Sequence, residues 1–484
     1  MMPMSDFLQL VFRVFFSALG PALLCMILGT FAVVKIHDKR NPGNPLPVKK
    51  VIVTVLLLGY LCGLLTITLF LRQAGDHEWQ THLFSAFWEA WHMFSLHFWL
   101  LYLLNIAMFI PLGVLLPLVA RPFRRWYVTI PVGFGVSLLI ECVQSLFAIG
   151  SPDVDDLFCN TLGSALGYCL CMVVLSLAEK RPKRMTAYGV FPLLSAAALA
   201  GIFITYYTQP YGNLMDGPLY RADTGTVEWV VDCQLSEEPP QAGVYYAPPF
   251  DHDSALAFGE AFAEKHGKVI TEIENYDEWI LIRNPIGGEE GFSLHIDLAD
   301  RAYEYSNYSV DFYDEEFDIG KDFPDTGTLP EDFLRETLAE YDIHIPEEAV
   351  LTYEEERLAG WYTFRAEQLL EGDTLTDGYV TFRITTEGEI AEIWNYMQTS
   401  RLAATETILS EAEAYQRLRE GRFLNSNWFE QWVELYHPSE ARVLSCGLEY
   451  ITDTKGYRQP VYAFVIANRN GETIVPALRD YRGP

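Results

Sequence analysis

The 484-residue sequence predicts an all-α polytopic membrane bundle of six helices followed by an exterior α+β domain with an antiparallel sheet. Three observations lead there: six apolar stretches of spanning length, a charge distribution that divides the chain near residue 207, and a change in hydrophobic pattern after that point.

Residues 14–34, 51–71, 98–120, 127–149, 157–178 and 187–207 are the apolar stretches. Each is close to the ~20 helical residues that crossing a hydrocarbon layer takes. The connection after the first carries Lys35, Lys39, Arg40, Lys49 and Lys50. That after the third carries Arg121, Arg124 and Arg125, and that after the fifth Lys180, Arg181, Lys183 and Arg184. Basic connections stay in the cytoplasm. The alternate connections, 72–97 and 150–156, hold a single basic residue, Arg72, among several acids. The expectation is a multi-pass membrane protein with both termini and the C-terminal domain extracellular. The first stretch lacks a basic leader and a small-residue cleavage site, so it is expected to be retained.

Charge divides the chain at the same place. Residues 1–207 hold 14 Lys and Arg and 10 Asp and Glu, whereas residues 208–484 hold 20 and 54. The net charge of −30 therefore belongs to the C-terminal part. So acidic a surface excludes nucleic acid and disfavours anionic lipid as its partner; cations, basic peptides or another extracellular protein suit it. The expected organisation is a bundle over 1–207, a linker over 208–220 and an acidic domain over 221–484, as one unit or as two subdomains split near 345 or 400. Of the eight cysteines, only Cys233 and Cys446 lie in the exterior domain. In an oxidising compartment they could form one disulfide, which spacing alone does not establish.

Within the spans, polar residues are the informative ones. Glu141 sits inside TIPVGFGVSLLIECVQSLFAIG, where an ionisable group costs at least ~2.5 kcal/mol and needs a partner, a proton or a purpose. Helical rise places Glu141 roughly 12 Å below the exterior end of its span, and Asn105 at a similar level. Gln144 lies one turn shallower, and Asn160 enters with the first turns of the fifth span. Packing of the third, fourth and fifth spans would let Asn105, Glu141, Gln144 and Asn160 share a pocket, with Asp153, Asp155 and Asp156 at its mouth. Gly163 and Gly167 frame a small-xxx-small face that permits close helix approach. Pro111, just past Asn105, removes a backbone donor and can bend its helix. Three readings of Glu141 stay open: a protonated tie between helices, a ligand or headgroup site, and acid–base catalysis. The Asp153, Asp155 and Asp156 turn suits a helix N-cap as well as a cation.

The run NIAMFIPLG (105–113, ending at Gly113), then ECVQ (141–144), then DVDDLFCNTLGSALGY (153–168), resembles the VanZ-like membrane family over roughly residues 60–178. The resemblance implies a bacterial cell-envelope protein acting on or near lipid-linked or lipid-tailed compounds, and tolerance to glycopeptides of the teicoplanin type. Relatives often carry an Arg just before the acidic turn, where this chain reads Gly150-Ser151-Pro152.

The loop over 72–97 holds four of the ten histidines, His77, His82, His92 and His97, with Trp79, Trp88, Trp91 and nearby Trp99. Indoles favour the headgroup level, so a short interfacial helix is expected there. A metal site from Asp76, His77 and His82 matches no strong ligand spacing.

After YYTQPYGNLMDGPLY (206–220), aromatic and β-branched runs such as EWILIRN, FSLHIDL, YVTFRITT and VYAFVIA read as strands. Helices are expected near 254–266, 330–341 and 411–420, the last with Ser410 and Glu413 as a capping box. Residues 379–396 and 462–478 look like two strand, glycine-turn, strand units, similar to small secreted modules of the PepSY sort. Asp311, Asp314, Glu316 and Asp318 would suit calcium, although the loop lacks EF-hand spacing and a solvated acidic turn explains it better. No other cofactor is expected. The leading functional reading is a non-enzymatic protein that binds a lipid headgroup or amphiphile. The alternatives are a membrane enzyme modifying an envelope lipid or precursor, and an anchor for a sensing or binding domain.

Overall fold

The computed structural model describes residues 27–32, 34–37, 39, 47–70, 77, 79–215, 217, 220–276, 279–285, 290–310, 329–355, 360–424 and 426–481. The chain forms two compact units, one ending at Pro210 and one spanning Tyr211–Pro484.

Among the described residues the first unit has five long apolar helices. The expected first span lies mostly outside those residues, and only an apolar helical stretch over Ile27–His37 belongs to it. The five are α1 (Val48–Leu65, continued by a π turn, Thr66–Phe70), α3 (Leu96–Val119), α4 (Trp126–Phe147), α5 (Val154–Ala178) and α6 (Pro182–Thr208). The short α2 (Ser85–Met93) precedes α3. Helix α3 continues through Pro111 and Pro117. It packs most extensively on α5. The reason is glycine: a methyl built on Gly163 would lie 2.0 Å from the Ile106 carbonyl, on Gly167 2.0 Å from that of Ile110, and on Gly113 2.1 Å from that of Ser164. Such separations allow no Cβ, so the two backbones touch directly.

An aromatic cluster joins α2, α3 and α6. Trp91 and Trp99 are buried in it with Ala90 and Tyr206, and Phe94 stacks on Tyr206 with ring centroids 3.3 Å apart. Two of the four indoles expected at the interface are thus packed inside the protein, because α6 supplies an aromatic face for them.

The second unit is built on one 14-stranded sheet. Pairing is antiparallel except between β1 (Glu228–Val231) and β12 (Glu440–Thr452), which run parallel, so the sheet is mixed rather than purely antiparallel. Two cores lie along it. The first gathers α7 (His252–Lys265), α8 (Glu331–Glu340) and the strands from β4 (Trp279–Asn284) to β10 (Ile390–Asn395) around Ile282, Leu294, Phe364 and Phe382. The second gathers α9 (Glu411–Arg419), α10 (Ser426–Tyr436) and strands β12 to β14 (Glu472–Pro476) around Phe423, Phe429 and Phe464. Its other members, Ala222, Val227 and Ala242, come from the start of the unit, so no single cut near 345 or 400 separates the two cores.

The hairpins over 379–396 and 462–478 are present, turning at Gly388 (φ 93°) and Gly471 (φ 77°). Ser410 and Glu413 form the capping box of α9. Part of the expected linker belongs to the fold: Asp453, 1% exposed, accepts from the Gly212 N–H at 2.6 Å, and Leu214 is buried against Leu424 and Val461.

Candidate functional site

The antiparallel course of α3, α4 and α5 sorts charge by end. The carboxyl end of α4, the amino end of α5 and the start of α3 lie together, since Asn105 Nδ2 donates to Asp156 Oδ1 and the Asp153 N–H donates to Glu141 Oε2 at 3.2 Å. At the opposite end the Tyr168 hydroxyl donates to the Arg124 carbonyl at 2.9 Å, among Arg121, Arg124 and Arg125. Asp153, Asp156 and Glu141 gather at one end, and the guanidinium groups, with Glu179 paired to Arg124, at the other.

Each residue of the acidic end has its own attachment. Asp153 is the N-cap of α5 and accepts from the Asp155 N–H at 2.8 Å. Asp155, buried, accepts from the Phe84 N–H and, at 2.8 Å, from the Ala86 N–H, and thereby caps α2. Its side chain therefore faces the loop before α3 and not the α3–α4–α5 junction. Asn160 donates to Ser137 Oγ at 2.9 Å. Gln144 donates to the Thr68 carbonyl at 2.9 Å, toward the π turn after α1. The structure thus unites Asn105, Glu141, Asp153 and Asp156 at one junction, sets Asn160 one turn deeper and directs Gln144 to a different neighbour.

A backbone strap closes over this end. Gln80 donates to the Pro152 carbonyl at 2.9 Å and accepts from the Val154 N–H at 3.1 Å, an isolated bridge with the acidic turn. His77 Nδ1 lies 2.6 Å from the Ser145 carbonyl, and the Ser145 hydroxyl donates to the His77 carbonyl at 2.9 Å. His92 is buried and stacks on Trp88. No group of three or more His, Cys, Asp or Glu among the described residues could hold a metal ion. Asp76, and the acidic loop with Asp311, Asp314, Glu316 and Asp318, lie outside the described residues.

Sequence reasoning passed over Thr68, Ser137 and Ser164. The last two carry a readable signal: Ser137 is one turn before Glu141 and Ser164 one turn after Asn160. In the second unit Cys233 and Cys446 both pack against the second core and are both free thiols. Burial pushes the Cys446 thiol up to about 12.

Five spanning-length helices with a polar junction at one end define a multi-pass integral membrane protein carrying a separate C-terminal α+β unit. Residues 54–175 match the VanZ/LLP1 family model, and this part of the chain is a VanZ/LLP1-family domain. No curated protein matches the chain. Among solved structures, the chain is similar to the Bacillus megaterium YpeB C-terminal domain, with 14% identity over 49% of this chain and 97% of that one, at a TM-score of 0.20.

Proposed function

We propose that this VanZ-family membrane protein binds a lipid headgroup or amphiphile of the bacterial envelope at the acidic junction, without transforming it. One observation carries the reading: Asn105, Glu141, Asp153 and Asp156 come from three helices to one point, under a strap that reaches them from the preceding loop. Carboxylates and an amide oxygen accept hydrogen bonds, so they suit a headgroup that presents amino or hydroxyl donors. The basic connections at the opposite end argue that the junction faces outward, in the outer leaflet, with the C-terminal unit outside the cell. Asn160 supports the junction from one turn deeper through Ser137, whereas Gln144 is tied to Thr68.

The family resemblance supplies the phenotype to examine, tolerance to a teicoplanin-type glycopeptide. In a strain made tolerant by this protein, the double variant Glu141→Met with Asn160→Leu is expected to lose tolerance while reaching the membrane in normal amount. Full tolerance in that variant would remove the junction from the function. Purified protein incubated with labelled envelope lipids is expected to show saturable binding and no new covalent product. A product would establish the enzyme instead, and restoration of tolerance by the C-terminal unit on an unrelated anchor would establish the anchor.

A further inference from the structure

The α4–α5 interface carries a line of polar side chains that starts at Glu141 and runs well beyond the acidic junction. On α4, Thr129, Gly133, Ser137 and Glu141 recur every four residues, and on α5 so do Asn160, Ser164 and Tyr168. Residues so spaced stack along one side of a helix. The two stripes face each other: Asn160 donates to Ser137, and a methyl built on Gly133 would lie 2.3 Å from Ser164 Oγ. All six side chains are at most 3% exposed. From Glu141 to Thr129 the line extends about 18 Å at ~1.5 Å per residue, over half of a hydrocarbon layer ~30 Å thick. It continues at the basic end, where Tyr168 reaches the Arg124 carbonyl and the Arg124 guanidinium lies 3.7 Å from the Glu179 carboxylate.

Two atoms on this line, Asn160 Oδ1 and Ser164 Oγ, are buried with no hydrogen-bond partner. Polar atoms in that condition are unfavourable in protein and more so in a membrane, where no bulk water compensates. An amide oxygen requires a donor, and the hydroxyl one turn away can accept from the same species. Ser164 against Gly133 leaves little width, so among possible donors only one as small as water fits. An ionisable group at the head of such a line is the composition of a proton relay.

We propose that the α4–α5 line is a proton path, in which water held by Asn160 and Ser164 passes protons between the Glu141 carboxylate and the Tyr168 hydroxyl at the basic end. The Glu141 carboxylate takes a proton and later releases it. Each water or hydroxyl oxygen along the line receives one proton as it gives up another, so no oxidant or counter-reactant is consumed and the charge moved is one per proton.

The test is proton entry into liposomes of neutral phospholipid that contain the full-length protein and a trapped pH-sensitive dye. The driving force is a potassium gradient with valinomycin. Entry several-fold faster than in protein-free liposomes is expected, returning to the protein-free rate in Glu141→Gln and falling in Ser164→Ala. Wild-type entry no faster than in protein-free liposomes would overturn the path, as would wild-type rates in both variants. Glu141→Gln keeps the shape of the side chain, so it carries the test if Ser164→Ala aggregates on gel filtration. Ser164 lies outside the acidic junction, so Ser164→Ala is expected to bind labelled lipid as the wild type does. Binding without proton entry would sink this inference and leave the headgroup reading standing.

Discussion

Asp155, in the first turn of α5, accepts the Ala86 N–H at 2.8 Å across 69 residues of sequence, so the amino end of one helix is capped by the amino end of another. Both helix dipoles favour a negative charge at that point. Ordering of the loop before α3 therefore depends on a carboxylate of the signature turn.

Asp155→Ala is expected to leave the part-buried N–H groups of Phe84 and Ala86 without this acceptor, at a cost of up to about 1 kcal/mol for each, below the full penalty of a buried group. Hydrogen exchange of the full-length protein should accelerate over 80–94 while α3 and α5 keep their protection. Unchanged exchange over 80–94 would show that the aromatic cluster alone holds α2.

Glycine contacts make a contrasting pair of substitutions. Gly163→Val would drive a side chain into the Ile106 carbonyl, whereas Gly135 has no atom within 4 Å of an added methyl. Separation of α3 from α5 and loss of ~1–3 kcal/mol or more are expected for the first, the usual cost of overpacking. A gain of up to ~1 kcal/mol is expected for Gly135→Ala, the helix-propensity difference. Thermal inactivation in detergent orders the three proteins; equal midpoints would mean that the contact yields without strain.

In the second unit Asp300 holds its proton up to about 6, against 3.8 for an ordinary aspartate, because it is buried and because Asp297 lies beside it. The folded state binds this proton more tightly than the unfolded chain, so the group favours folding below pH 3.8 relative to higher pH. Stability is lost as pH rises through about 6. Asp300→Asn keeps an acceptor for the Ala302 N–H and removes the charge. It should raise the unfolding midpoint of the second unit at pH 7.5 and change it little at pH 4. Equal shifts at both values would dismiss the charge as the cause.

Cys233 and Cys446 are expected to join on treatment with diamide, each thiol losing one hydrogen to the reagent. A β-bulge between Val443 and Ser445 shifts the alternation of β12, and Cys446 packs against the same core as Cys233. Since burial holds the Cys446 thiol up to about 12, the reaction should be slow at neutral pH and faster at pH 9. Peptide mass spectrometry would detect the linked pair; two thiols still open to alkylation after denaturation would exclude it.

Several elements were hidden by their composition. Strand β11 (Gln398–Thr407, QTSRLAATET) lacks the alternating apolar residues of a strand and exists because β2 (Gln241–Tyr246) and β9 (Thr374–Ile384) flank it. Helix α10 (SNWFEQWVELY) has the aromatic content of a strand, yet Phe429 and Trp432 fall on one helical face and fill the second core. The parallel β1–β12 pair joins residues more than 200 positions apart, beyond any local pattern.

Hydropathy, loop charge and spacing were enough to mark the five long helices found among the described residues, the acidic character of the second unit, and Asn105, Glu141 and Asn160 as residues that a membrane does not tolerate without reason. These follow from transfer free energy and helical period, which each segment carries in itself. The tertiary structure decided the partners: Asn105 with Asp156, Asn160 with Ser137, Gln144 with Thr68, and Asp155 with α2 rather than with its neighbours on α5. A hydrogen bond between helices depends on the rotation and depth of both, and these are set by where Gly113, Gly163 and Gly167 let two backbones meet.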